Sequence, residues 1–144
     1  MQSIPSVLVM LASIGTPPLS VPGSPPISNH PILGEWILEA PDVQCAETYN
    51  FRPDGTRRFT SGDEIGESVF EISSVPSSKG FYKIIDIIVK DNGKKDCGGA
   101  IVEIGHRATL YVRIHPSGDV FMICQDEVNQ TCFALFKRVR RHDP

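Results

Sequence analysis

A chain of 144 residues has room for one ordinary domain plus a tail, and 40% hydrophobic with 22% charged residues is the balance of a folded globular protein. A formal net charge of -3 leaves no basic field to condense on nucleic acid, and a mean hydropathy of -0.09 excludes a bundle of membrane spans. Neither nucleic acid nor a membrane span is therefore expected.

From Ile4 to Ile14 the chain is mostly apolar, the length of a signal-peptide core and short of the roughly 20 residues that cross a bilayer. Residues 1–15 read as a signal-like segment. Gly15 to Pro31 holds six of the twelve prolines and no Asp, Glu, Lys or Arg, so 16–31 reads as an extended linker. The domain is expected over 32–140, with 141–144 as a tail.

From Ile32 onward the apolar residues alternate with a period of two, and turn signals interrupt them at intervals of about ten residues. Glu35 to Glu39 carries Trp36 and Leu38 on one face, and Thr48 to Phe51 carries Tyr49 and Phe51. Arg52-Pro53-Asp54-Gly55 is turn chemistry, with Pro preset for the second turn position and Gly free to take positive φ. Thr56 to Thr60 returns with Phe59 inward, Ser61-Gly62-Asp63 turns again, and Ser68 to Ile72 follows. Phe81 to Lys90 is the most apolar stretch, rich in β-branched residues and long enough to bend around a barrel. Further strands are expected at Ile101 to Ile104, Thr109 to His115, Val120 to Cys124 and Cys132 to Val139. The fold class is all-β, an antiparallel up-and-down barrel of about eight strands, with a two-sheet β-sandwich as the alternative.

Four cysteines, Cys45, Cys97, Cys124 and Cys132, form no C-x-x-C pair, so disulfides are a simpler account than a zinc ribbon or a redox site. Three connectivities are possible. Antiparallel pairing of the runs around Gln125 to Thr131 favours Cys124 with Cys132, leaving Cys45 for Cys97. With the apolar leader, this use of cysteine implies export, to the periplasm or the exterior.

Leu33-Gly34-Glu35-Trp36 resembles the G-x-W motif of the first strand in lipocalins and the wider calycin group, and Phe136-Lys137-Arg138 resembles their last-strand basic residue. The segment from Tyr49 to Thr56 is similar to the F-x-x-D-G-T hairpin of small lipocalin-like domains in exported bacterial proteins. The resemblance implies that Gly34, Trp36 and Arg138 close one end of the barrel, the guanidinium stacking on the indole.

No nucleophile elbow, metal-ligand spacing or phosphate loop is present; no cofactor, metal site or enzyme activity is expected. His106 and His115 read as ordinary exposed residues, and Asp63, Glu64 and Glu67 as a solvated acidic turn. The aromatics split between two roles. Tyr49, Phe51, Phe59, Phe121 and Phe136 are candidate pocket residues with Tyr111 or Arg113 near a mouth, but few spare polar groups are expected inside to orient a ligand, so packed core is the favoured role. Two functions follow: a carrier or sensor for a small apolar molecule, and, as the alternative, a secreted inhibitor, adhesin or immunity-type module that grips another protein with loops on a disulfide-tied scaffold.

Overall fold

The computed structural model describes residues 27–39 and 44–140. The signal-like segment, linker residues 16–26 and tail residues 141–144 lie outside the described residues. Eight antiparallel strands close into a barrel in sequence order: β1 Gly34–Leu38, β2 Glu47–Phe51, β3 Thr56–Ser61, β4 Glu64–Ile72, β5 Tyr82–Asp91, β6 Arg107–Ile114, β7 Val120–Cys124 and β8 Cys132–Arg138. Pairing of β1 with β8, Trp36 opposite Arg138 and Leu38 opposite Phe136, completes the ladder. Closure leaves no strand edge unpaired, which favours the barrel over the sandwich.

The expected strand at Ile101–Ile104 is absent. Both ladder edges of β5 are already taken by β4 and β6, so an apolar run in this connection has no partner. The loop is ordered by Asp96 instead, whose carboxylate accepts the backbone N–H groups of Gly98 (2.8 Å) and Ala100 (2.9 Å).

The two barrel ends differ. At one, Trp36 is fully buried, donates its indole N–H to the Ile32 carbonyl (2.8 Å) and packs edge-on against Phe121. The Arg138 guanidinium lies 4.1 Å above the Trp36 ring and donates to the carbonyls of Pro31, Leu33 and Gly118. Gly34, at φ +116°, makes this approach feasible, since a Cβ there would stand 2.7 Å from an Arg138 nitrogen. Phe51, Phe70, Phe121 and Phe136 complete an aromatic plug.

Residues 27–31, whose composition suggested linker, pack across this end. The Ile27 N–H bonds Pro53, and buried His30 accepts the Ile32 N–H at Nδ1 while its Nε2 donates to the Ser73 carbonyl (3.0 Å). That pattern needs a neutral ring, and burial holds the His30 pKa below its ordinary value against the opposing pull of the Ser73 bond.

Both disulfides sit at the other end. Cys45–Cys97 ties the β1–β2 connection to the β5–β6 loop, and Cys124–Cys132 joins facing positions of β7 and β8.

Trp36→Ala should destabilise the barrel by about 3–5 kcal/mol in urea denaturation, because it leaves a large void at a fully buried site. A loss below about 1 kcal/mol would show that the indole does not hold this end together.

Candidate functional site

Eight short strands leave an interior that side chains nearly fill, so the identity of each inward residue decides what space remains. Above the aromatic plug the inward positions shrink or turn polar: Ala108, Leu110 and Val112 on β6, Ile123 on β7, Ile84, Asp86 and Ile88 on β5, Glu64 on β4, and Arg57 and Ser61 on β3. They enclose a cavity of about 260 Å³ that reaches the disulfide-bearing end, where Glu47, Asp96, Gly98, Val102 and His106 line its mouth.

Of the candidate pocket residues, Tyr49, Phe51 and Phe59 line this cavity, while Phe121 and Phe136 belong to the plug. Tyr111 and Arg113 alternate with the inward Leu110 and Val112 and so face outward; Arg113 lies over Phe81 and donates to Asn129 outside the barrel.

The expectation of a polar-poor interior is overturned. Arg57 is sandwiched between the rings of Tyr49 (4.4 Å) and Phe59 (4.6 Å) and holds Asp86 with two nitrogens, at 3.1 and 2.9 Å. Ser68 donates to the same carboxylate (2.6 Å) and accepts from Arg57 Nε (3.1 Å), so Asp86 is fully engaged. Burial works against the charged guanidinium, but Asp86, Tyr49 and Glu47 outweigh it and hold the Arg57 pKa above its ordinary value. Tyr49, desolvated beneath the cation, is pushed up to about 12 and donates to Glu47 (3.4 Å). Glu47 also accepts from Ser61 (2.9 Å), whose oxygen in turn takes the Cys97 N–H (2.9 Å) and ties the mouth loop to β3.

Glu64 corrects the acidic-turn reading most sharply. Asp63 stays exposed and Glu67 pairs with Arg52 on the outer wall (2.8 Å), whereas Glu64 is 2% exposed and lines the cavity. Its neighbour is Asp91, placed by a β-bulge. Ser68 pairs with Ile88 but Glu67 with Lys90, so the inward order Ile84, Asp86, Ile88 passes over Lys90 to Asp91, opposite buried Gly66. No group outside the pair donates to Glu64 Oε2 or Asp91 Oδ2. Desolvation first, then the shared hydrogen bond and charge of Asp91, push Glu64 up to about 8. Gly66 is required beside it: a Cβ would lie 2.2 Å from the Phe59 ring, which crosses β4 there.

Sequence periodicity missed Glu64 because β4 inverts the usual pattern. Its inward residues are Glu64, Gly66, Ser68 and Phe70, while Ile65, at 43% exposure, faces solvent. The usable signal was the ladder itself: extending β3 and β4 back to their turn sets Ser61 against Glu64.

Among the described residues no group of three or more His, Cys, Asp or Glu side chains is arranged to hold a metal ion, and no helix is long and apolar enough to cross a membrane. Comparison with protein-family models, curated proteins and solved structures gives no match. The class defined by fold and site is an eight-stranded antiparallel barrel, closed at one end and hollow at the other, compatible with a lipocalin-like architecture.

The raised Glu64 pKa gives stability a definite pH dependence. The folded state keeps a proton that the unfolded chain releases above about pH 4.5, so the contribution is complete below that pH and is lost as pH rises through about 8. Urea midpoints measured from pH 4 to pH 9 should therefore fall for the natural chain relative to Glu64→Gln as pH increases; parallel profiles would contradict a buried, protonated Glu64.

Proposed function

We propose that this domain is an exported, lipocalin-like binding module that holds a small, mainly apolar molecule in the barrel, rather than transforming it. The observation that carries the reading is the cavity: aliphatic and aromatic walls, a few convergent polar groups and a rigid floor. At about 260 Å³ it lies just below the range of about 300–1,000 Å³ that accommodates drug-sized ligands, so the ligand is small. The G-x-W strand and the arginine above its indole support the lipocalin-like assignment, and the two disulfides support an oxidising compartment.

A grip on another protein is the second reading. Ile101 and Ile104, 58% and 65% exposed on the loop beside the mouth, favour it.

Methyl NMR with toluene as an apolar probe separates the two. Toluene should shift the methyl signals of Ile84, Ile88 and Val112 inside the barrel and leave the exposed Ile37 and Val139 unmoved, and Ala108→Trp, which fills the cavity, should abolish those shifts. Toluene shifts confined to Ile101 and Ile104 would favour the loop surface instead.

A further inference from the structure

The cavity's polar groups are not evenly satisfied. Asp86 is neutralised by Arg57 and bonded by Ser68; Glu47 accepts from Tyr49 and Ser61; Asp96 accepts from its own loop. Glu64 alone among the lining carboxylates is deeply buried with an oxygen, Oε2, to which no group outside its pair with Asp91 donates, and Asp91 Oδ2 beside it is in the same condition. A buried acceptor without a donor is costly, and the cost is relieved by whatever brings one. The wall also has a sign: Arg57 is matched by Asp86, which leaves Glu47, Asp96 and the proton-sharing pair of Glu64 and Asp91 with no cation to balance them in the cavity. A ligand carboxylate is repelled there, a neutral hydroxyl satisfies the acceptor without the charge, and an ammonium satisfies both.

We propose that the cavity selects a small amphiphile bearing a protonated amine, with its ammonium on Glu64 and under the field of Glu47, and its apolar body against Phe59, Ile88 and Leu110. This rests on the reading of the barrel as a small-molecule binder and adds the charge of the ligand. Below about pH 8 the Glu64 and Asp91 pair holds a proton, and the arriving ammonium takes its place: the carboxyl O–H breaks, the proton leaves to solvent, and an N–H···O bond to the carboxylate forms. Binding is thus accompanied by proton release. The charged or titratable groups facing Glu64 are Glu47 on β2, Asp91 on β5 and Asp96 in the β5–β6 loop, all of which favour the cation.

Titration calorimetry with 2-phenylethylamine, 2-phenylethanol and phenylacetate at pH 7, in buffers of differing ionisation enthalpy, tests this. The amine should bind about tenfold or more tightly than the alcohol, with proton release, and phenylacetate should not bind. Glu64→Gln should reduce the amine to the level of the alcohol; if that variant does not fold, Glu47→Gln should still narrow the ratio. An alcohol that binds as well as the amine, or a carboxylate that binds best, while toluene still shifts the interior methyl signals, overturns the amine assignment alone. Absence of all four probes from the interior overturns the binding reading beneath it.

Discussion

The Arg57–Asp86 ion pair divides this barrel into two unlike halves. Two charges within a small β-barrel are expensive to desolvate, and the pair is tolerable only because the guanidinium has aromatic faces on both sides and the carboxylate has Ser68 as a further donor. The pair fixes the cross-strand relation of β3, β4 and β5 at one level, because Arg57, Ser68 and Asp86 come from three successive strands. Large rings fill one part of the interior, and Ala108, Leu110, Val112 and Ile123 border the hollow that remains.

Closure at one end and tethering at the other then act in concert. The Trp36 and Arg138 stack, with the His30 segment packed beside it, closes the plug end, and the cavity reaches the disulfide-bearing end. At that mouth the disulfide at Cys97 and the Ser61 hydroxyl, which takes the Cys97 N–H, hold the longest connection in place. Pre-organisation of this kind lowers the ordering cost of binding, which matters for a small ligand that has little surface to contribute.

Much of the architecture was legible because it depends on local rules. Period-two alternation, the Pro53-Asp54-Gly55 turn and the Cys124/Cys132 spacing each report on neighbours in sequence, and an up-and-down barrel is assembled from neighbours in sequence. The cavity was harder to see. Alternation from the inward Phe59 puts Arg57 rather than Arg58 on the inner face, but an arginine reads as solvent-facing. Glu64 reads as solvent-facing because carboxylates almost always are. Asp91 turns inward only through a bulge, a one-residue slip that composition does not encode. The run Ile101–Ile104 shows the converse error: apolar and β-branched, it satisfies the propensity for a strand but has no edge to join.

The chemistry of the hollow half therefore turns on one carboxyl group. A ¹³C NMR titration of the side-chain carboxyls in the natural chain, with Glu64→Gln to assign the signal, measures its state directly. A Glu64 midpoint near 8 is expected for an acid buried against Asp91, and a midpoint near the ordinary 4.5 would place it in water and remove the proton whose release is assigned to binding.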